Sequence, residues 1–454
     1  MTSRAAAVFT QGSLARHVLV MTATGSVGLV AIFAVDLLSL LYISWSGNAA
    51  LTAAVGMASQ VLFFGISINI GLTIAVSALV ARAIGAHDRP RAKRLAGSGI
   101  VHSFILSTVI GIALFVWQRD FLSLLGARDG VMEGAVIYLN WTLPTNGLMA
   151  VGMVFSGILR SVGDARRSMY VTLFGAITTA ILDPLLILWL DMGIFGAAIA
   201  SNVARMAWIA VGYWGAVHIH GIVARPRREA LFDDLKPVMQ IALPAILTNL
   251  AAPISTSYSV RALANFGEAA MAAGAIIDRV TPAAFVAVYA MSGAVGPIIG
   301  QNYGAKLYER VRGTLTTSFT FGITYSLAVW FLLYLAAPGI VLLFNASGQT
   351  AQLVLFFCSW GAVAWVFLGC LFAANAAFNN LDYAFLSTLF NWGRATLGTI
   401  PFVALGAHFY GPEGVFLGLV AGSGLFCVAA IISAYRIAGR IARRSPPVTS
   451  ANSP

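Results

Sequence analysis

Apolar residues recur along this chain in long runs that are separated by short polar or glycine-rich stretches. Each run approaches the ~20 residues that a helix needs to cross a bilayer. Turn and charge punctuation divides the chain into twelve runs, near 18–43, 50–81, 95–117, 133–159, 168–190, 194–219, 237–265, 272–302, 313–336, 351–378, 384–407 and 412–435. Such runs are too long for barrel strands, whereas helices satisfy their own backbone hydrogen bonds in lipid. The pattern predicts an all-α integral membrane protein with twelve transmembrane helices.

Composition agrees with a chain that lies mostly in lipid. Of its 454 residues, 59% are hydrophobic and 9% are charged, whereas soluble globular chains carry roughly 25% charged residues. The formal net charge is +11, but the Lys and Arg residues are not gathered on one module, which argues against a nucleic-acid partner. The sequence contains no phosphate-binding P-loop and no hydrolase motif, so we expect neither an ATP-driven pump nor an enzyme.

Basic residues are concentrated in alternate loops. The loops after odd-numbered runs hold only Arg119 and Arg128, each followed by an aspartate. The loops after even-numbered runs and the C-terminal segment hold Arg82, Arg89, Arg91, Lys93, Arg94, Arg160, Arg166, Arg167, Arg225, Arg227, Arg228, Lys236, Lys306, Arg310, Arg312, Arg436, Arg440, Arg443 and Arg444. Because short cytoplasmic loops accumulate Lys and Arg, both termini are predicted to be cytoplasmic.

The most polar interior stretch divides the runs six and six. We therefore predict an N-terminal lobe over 1–220, a cytoplasmic linker over 221–236, a C-terminal lobe over 237–436 and a cytoplasmic tail over 437–454.

The two halves share a sequence pattern at an offset of about 216 to 220 residues. The matched segments are Gly47 to Ala50 with Gly267 to Ala270, Ala83 to Ala86 with Asn302 to Ala305, and Leu173 to Gly175 with Leu389 to Asn391. An even number of spans in each repeat makes both halves face the same way. The predicted lobes are therefore pseudo-symmetric about an axis along the membrane normal.

Two acidic residues lie in the middle of predicted spans of the first half. Asp36 has no basic residue near it in its span, so it could bind a proton or, with neighbouring oxygens, a sodium ion. Asp183 precedes Pro184, which frees a backbone carbonyl one turn earlier, and Thr179 lies on the same face. The structural alternatives are a neutral packing acid at Asp36 and a salt bridge from Asp183 to Arg205.

Other polar and aromatic residues are candidates for a substrate cavity. Ser201 and Asn202 lie close to Arg205 on the sixth span and could complete either arrangement of Asp183. In the second half, Asp278 and Arg279 could bridge to Arg261 or Arg394, or could contact substrate. The flexible or aromatic side chains that could hold flat organic cations are Tyr258, Tyr289 and Met291.

The second half lacks both of these acids. By offset, Asp36 corresponds to Ser255 and Thr256, and Asp183 corresponds to Thr399. The two lobes are therefore expected to be alike in scaffold and unlike in chemistry.

A series of short motifs resembles the multidrug and toxic compound extrusion (MATE) family over nearly the whole chain. The motifs are Val35-Asp36, Ala49 to Gly56, Ile84 to Asp88, Leu159 to Asp164, Ile181 to Pro184, Gly193 to Ser201 and Gly300 to Ala305. Each motif is weak alone, but their order and spacing are specific. The resemblance implies two six-helix lobes around a V-shaped cavity and export driven by proton or sodium antiport.

The resemblance also implies roles for single residues. The family's first-span acid falls on Asp36, its fifth-span acid on Asp183 and its sixth-span hydroxyl on Ser201. Thr179 stands where prokaryotic relatives often have Asn, which leaves H⁺ against Na⁺ coupling open. The region after Pro244 lacks the second-lobe glutamate of some branches, a pattern closer to the DinF-like branch.

These observations favour a secondary active multidrug efflux transporter that exports organic cations or amphiphiles in antiport with H⁺ or Na⁺. It would be a monomer in lipid at the bacterial inner membrane, with no cofactor and no metal beyond a Na⁺ ion at Asp36 and Asp183. The alternative is a flippase for lipid-linked precursors, which needs a basic cavity built from residues such as Arg205 and Arg279.

Overall fold

The computed structural model describes residues 7–45 and 49–443, which form helices joined by short connections. The α-helices are α1 Leu14–Trp45, α2 Ala49–Gly85, α3 Arg89–Val116, α4 Gln118–Leu124, α5 Asp129–Thr142, α6 Asn146–Ser161, α7 Ala165–Asp183, α8 Gly193–Tyr213, α9 Arg228–Ala264, α10 Glu268–Ala284, α11 Val286–Gly304, α12 Tyr308–Leu343, α13 Gly348–Ser359, α14 Ala364–Asn380, α15 Ala384–Gly393 and α16 Ile400–Arg443. Short 3₁₀ segments span Val8–Thr10 and Gly361–Val363, and π-helical segments span Pro184–Trp189, Trp214–Ile219 and Arg394–Gly398. Gly47, Asn48 and the end of the predicted tail lie outside the described residues.

The described helices account for the twelve predicted spans. Nine helical stretches are long and apolar enough to cross a bilayer, and two bent pairs, α5 with α6 at 57° and α10 with α11 at 47°, raise the number to eleven. One stretch, Ala384–Arg443, has 60 residues, which is about 90 Å of helix and roughly three times the bilayer core. Within it, Gly411 has a non-helical backbone (φ 62°, ψ −144°), so the chain reverses there and supplies two spans.

Glycines hold the two arms of this hairpin together. A Cβ atom added to Gly422 would overlap the carbonyl oxygen of Gly398, and one added to Gly406 would overlap that of Gly414. The arms are therefore in backbone contact on both sides of the reversal, as small residues allow between membrane helices.

The two halves of the chain meet where α2 crosses α11, and the contact is repeated by pseudo-symmetry. A Cβ atom on Gly85 would overlap the carbonyl oxygen of Gln301, and one on Gly304 would overlap that of Arg82. Each half thus places the last glycine of a long helix against the backbone of the other half. Matching left-handed residues follow the two glycines, His87 (φ 59°) and Lys306 (φ 60°).

We call the end of the bundle where this crossing lies the arginine-rich end. There Arg82 forms an ion pair with Asp382 and lies over the ring of Tyr303, with 5.4 Å between the guanidinium carbon and the ring centroid. The hydroxyl of Tyr303 donates to the same Asp382 at 3.0 Å. These contacts join α2 of the first half to α11 and to the turn before α15.

A short N-terminal segment is wedged between the halves at the same end. Phe9 is 2% exposed, and its backbone N–H donates to the side chain of Gln301 at 2.9 Å. Arg310 donates to the carbonyl oxygens of Phe9 at 2.9 Å and Gly12 at 3.1 Å. In the described residues, the hydrogen bonds and ion pairs between the halves lie at this end of the bundle.

The predicted linker is shorter than its sequence suggested. Helix α9 begins at Arg228, inside the predicted 221–236 stretch, because its acidic first turn suits a helix N-terminus. The residues before it pack back on the first half: the N–H of Ala224 donates to the carbonyl oxygen of Lys93 at 3.1 Å. Asp234, in the first turns of α9, forms an ion pair with Arg94 at 3.0 Å.

The crossing of α2 and α11 gives a direct prediction. Gly85→Leu should force the two backbones apart and destabilise the purified protein, since overpacking costs about 1–3 kcal/mol. Gly56→Leu is the matched control on the same helix, because a Cβ atom there has no neighbour within 4 Å. Thermal unfolding in detergent should show a melting temperature lowered by several degrees for Gly85→Leu alone. Equal melting temperatures for the two variants would contradict the described crossing.

Candidate functional site

Asp183 is a buried carboxylate with one hydrogen-bond partner among the described residues. It ends α7, is 1% exposed, and is followed by the π-helical turn that begins at Pro184. Its Oδ2 atom contacts the hydroxyl of Ser39 on α1, and its Oδ1 atom is buried without a partner among the described residues. Buried polar atoms are almost always satisfied. The orphaned Oδ1 therefore marks a place where a proton or a cation could bind.

Asp36 lies on α1, one turn before Ser39. Its side chain is exposed, and no described residue forms an ion pair or hydrogen bond with it. Asp36 and Asp183 are close enough for their charges to interact. Since a carboxylate is costly in lipid, an exposed Asp36 indicates that this face of α1 borders a polar cavity.

Close packing of α1 and α7 brings these residues together. A Cβ atom on Gly28 would overlap the hydroxyl of Thr172, so only the Thr172 side chain lies between the two backbones there. The contact between Ser39 and Asp183 lies the same number of residues further along both helices. The two helices therefore run parallel and in register up to the acids.

Tyr138 on α5 is a member of the cluster that sequence reasoning missed. Its hydroxyl lies 3.3 Å from the hydroxyl of Ser201. It also lies near Asp36, Asp183 and Arg205. A tyrosine in an apolar helix needs a partner for its hydroxyl, and that need was the available signal.

Thr179 lies on the same helix as Asp183 but makes no hydrogen bond to it. Its hydroxyl donates to the carbonyl oxygen of Gly175 at 3.2 Å, within α7. The oxygen lone pairs of Thr179 are left to accept or to bind a cation.

The salt bridge considered between Asp183 and Arg205 does not form. Arg205 is 7% exposed and donates to the carbonyl oxygen of Thr142 at 2.6 Å and to the hydroxyl of Thr145. Asn202 completes this group by donating to the carbonyl oxygen of Trp141 at 2.8 Å. The break between α5 and α6 leaves these acceptors free. Arg205 therefore braces that break and leaves Asp183 without a cation.

The second half repeats the contact between Ser39 and Asp183 without the acid. Ser255 on α9 and Thr399 after α15 are hydrogen-bonded at 2.9 Å and are 144 residues apart, the same separation as Ser39 and Asp183. Thr399 therefore corresponds to Asp183, as expected. Ser255 corresponds to Ser39, so the position opposite Asp36 is Ala252 and not Ser255 or Thr256.

The remaining candidate cavity residues lie in the second half and do not form one cluster. Asp278 and Arg279 are both exposed on α10, and neither forms an ion pair among the described residues, so the expected bridge to Arg261 or Arg394 is not present. Tyr258 is half-buried and packs on the core of this half. Met291 is 0% exposed within a packed core. It therefore does not line a cavity.

Tyr289 belongs to an aromatic cluster in the second half. Its ring centroid lies 5.4 Å from that of Trp365 and 5.8 Å from that of Phe372. It lies near Asp278 and Arg394. Arg394 is 9% exposed, and its Nε atom is buried without a partner in the described chain.

The described residues hold no group of three or more His, Cys, Asp or Glu side chains that could bind a metal ion. Asp36 and Asp183 are the two carboxylates of the site. Any bound cation there would also need hydroxyl or carbonyl oxygens.

Asp164 supports the site from the arginine-rich end by capping α7. It accepts from the backbone N–H of Arg167 at 3.0 Å and from His220 at 2.8 Å, and it pairs with the Arg167 guanidinium. Burial alone would raise the pKa of Asp164, but these hydrogen bonds and the Arg167 charge outweigh it and lower the pKa to about 2. This cap fixes the start of the helix that carries Asp183. Sequence reasoning identified Asp164 only as part of a motif.

The low pKa of Asp164 predicts how its contribution depends on pH. A depressed carboxyl pKa adds stability above the ordinary value of roughly 3.9, and this stability is lost as pH falls through about 2. Asp164→Asn should therefore lower the melting temperature at pH 6, by an amount that shrinks as the pH falls below about 4. Asp233→Asn, at an exposed position of the same end, is the control and should change little. A deficit for Asp164→Asn that is constant with pH would contradict the assigned cap.

Comparison with known proteins gives consistent matches over the whole chain. The MatE family model matches twice, at residues 26–185 and 244–405, with a spacing within the offset of the internal repeat. The FAD transporter of Shewanella oneidensis is 27% identical over 439 residues, which are 93% of this chain and 95% of that protein. The probable multidrug resistance protein YoeA of Bacillus subtilis is 23% identical and covers 67% of this chain and 68% of its own.

Solved structures agree with the fold. The MATE transporter VcmN of Vibrio cholerae in its bent form matches with a TM-score of 0.89 and 27% identity, covering 94% of this chain and 98% of that one. An outward-facing multidrug resistance MATE family transporter of the MOP superfamily matches with a TM-score of 0.89 and 23% identity, covering 98% and 100%. The second match shows a shared fold, which is the twelve-helix arrangement described above.

Proposed function

The chain belongs to the MatE family of membrane transporters, and we propose that it is an exporter that exchanges organic cations or amphiphiles for H⁺ or Na⁺. The observation that carries this proposal is the buried carboxylate of Asp183, which has an orphaned oxygen and no cationic partner among the described residues. An unpaired acid at this depth is costly. A buried acid without a cationic partner is expected where the side chain binds and releases a cation.

The contact between Ser39 and Asp183 supplies a way for that cation to change the structure. The Ser39 hydroxyl has one proton but lies against two acceptors, the carbonyl oxygen of Val35 at 2.9 Å and the carboxyl group of Asp183. When Asp183 is charged, Ser39 donates to it. When Asp183 is protonated, it can donate to Ser39, which then donates to Val35. Loading Asp183 therefore switches the hydrogen bond that ties α7 to α1.

Asp36 would pass the cation between this buried site and the cavity. It is exposed, and its charge interacts with that of Asp183. Repulsion between two nearby carboxylates favours holding one cation between them. A sodium ion would find further oxygen ligands at Thr179 and Ser201, whereas a proton needs only the pair.

Alternating access follows from the side at which the lobes are joined. The positive-inside rule assigns the arginine-rich end to the cytoplasm of a bacterial inner membrane. The contacts of Arg82 with Asp382 and of Gly85 with Gln301 then close the cytoplasmic side, and the acids are reached from outside. Because both acids belong to the first lobe, the closest branch of the family is the DinF-like one.

A second candidate substrate is a flavin nucleotide. A relative that matches almost the full length of this chain is named a FAD transporter. The aromatic cluster of Tyr289, Trp365 and Phe372 lies near Arg394, whose Nε atom has no partner in the described chain. Stacking faces and an unpaired guanidinium suit a flat ring that carries phosphate. The lipid-linked precursor alternative is weaker, because Arg205 is engaged by Thr142 and Thr145.

Transport by the purified protein in vesicles tests the proposal. An imposed pH or Na⁺ gradient should drive ethidium movement by the wild type, and Asp36→Asn or Asp183→Asn should slow it at least about tenfold by removing the charge that the coupled cation neutralises. Asp120→Asn, at an exposed position outside the site, should move ethidium at the wild-type rate.

Two results would overturn this assignment. Undiminished gradient-driven efflux by both Asp36→Asn and Asp183→Asn would remove the acids from coupling. Movement of FAD but not ethidium by the wild type would replace the cationic substrate with the flavin nucleotide.

A further inference from the structure

A basic groove lies at the arginine-rich end, between the start of α12 and the end of α16. It has a volume of about 600 Å³, and the residues that line it are Glu309, Arg312, Tyr435, Arg436, Gly439, Arg440, Ala442 and Arg443. The hydroxyl of Tyr435 donates to the hydroxyl of Thr316 at 3.0 Å, and its ring packs on Phe319 with 5.4 Å between centroids. These contacts hold the two walls together.

The groove concentrates cations that form no ion pair within the described chain. Arg436, Arg440 and Arg443 follow helical spacing, so they share one face of α16. Arg312 faces them from α12, and Glu309 is the single acid of the lining. Among the described residues, the guanidinium groups of these four arginines form no ion pair. The positive-inside rule accounts for positive charge at this end of the bundle, but it does not explain why four arginines line one groove.

Exposed apolar residues continue the same helix faces away from the groove. On α16, Leu425, Val428 and Ile432 are exposed and lie in line with Arg436. On α12, Ile323 and Leu327 are exposed in line with Arg312. A molecule bound to the arginines would therefore lie beside an apolar surface. Such a surface suits a ligand with an acyl chain, whereas a free anion would make no use of it.

The first half shows what the equivalent groove holds. There the start of α3 and the end of α8 take the places of α12 and α16, and the chain itself fills the space. Arg89 donates to the carbonyl oxygen of His220 at 2.9 Å, and Ala224 bonds to Lys93. In the second half, α16 runs on to Arg443 and no described segment folds back.

We propose that the groove between α12 and α16 binds the phosphate headgroup of an anionic membrane lipid. Arg436 and Arg440 would donate to the phosphate oxygens, Arg312 would close the opposite wall, and the acyl chains would lie along Leu425, Val428 and Ile432. Guanidinium groups suit phosphate because they donate two parallel hydrogen bonds. Basic pockets between helix ends at the cytoplasmic surface bind such headgroups.

Native mass spectrometry of the full-length protein, titrated with phosphatidylglycerol in detergent, tests this site. Arg436→Gln with Arg440→Gln should weaken binding by about thirtyfold, while phosphatidylcholine binding stays unchanged. The matched control, Arg227→Gln with Arg228→Gln, removes the same charge from exposed positions of the same end and should keep phosphatidylglycerol affinity. Arg443→Gln, at the last described residue, provides a milder variant should the double variant fail to fold.

Three results would overturn the proposal. Equal losses in the groove and control variants would show attraction to surface charge in general. Unchanged affinity in the groove variants would place the lipid elsewhere. Displacement of phosphatidylglycerol by excess inorganic phosphate would show a site for a free anion and not for a lipid headgroup.

Discussion

The two lobes meet where α2 crosses α11, and side chains are absent from the closest points of that crossing. Gly85 lies against the backbone of Gln301, and Gly304 lies against the backbone of Arg82. Because each lobe supplies the same glycine at the same place, the contact has the two-fold pseudo-symmetry of the repeat. The halves also touch further along α2, where Gly71 lies against α9.

The two lobes differ at one corresponding contact between helices, where only the first lobe has an acid. The first lobe ties α1 to α7 through Ser39 and Asp183, and the second lobe makes the corresponding tie through Ser255 and Thr399. A hydroxyl pair can neither gain nor lose charge in the membrane, whereas the carboxyl group can. In the proposed mechanism, duplication provides one contact that responds to a cation and one that does not. The second lobe would serve as the reference against which the first lobe moves.

The sequence predicted the scaffold well, since twelve apolar runs and two offset copies of a motif leave few alternatives in lipid. It did not predict whether Asp183 would meet Arg205. That outcome depends on the break between α5 and α6, where the carbonyl oxygen of Thr142 becomes available to the guanidinium. Met291 was predicted to line a cavity but lies in a core, because a flexible methionine side chain fits either place. Sequence spacing alone does not determine which face of a helix points into the core.

In the proposed exchange, the first-lobe acids bind the coupling cation and release it when substrate binds. The most direct measurement is the number of protons, or of ²²Na⁺ ions, released when ethidium is added to the purified protein at fixed pH. We expect release by the wild type and none by the variant with both Asp36→Asn and Asp183→Asn, while Thr399→Val in the second lobe releases as the wild type does. Release that persists without the two acids, or that requires Thr399, would contradict it.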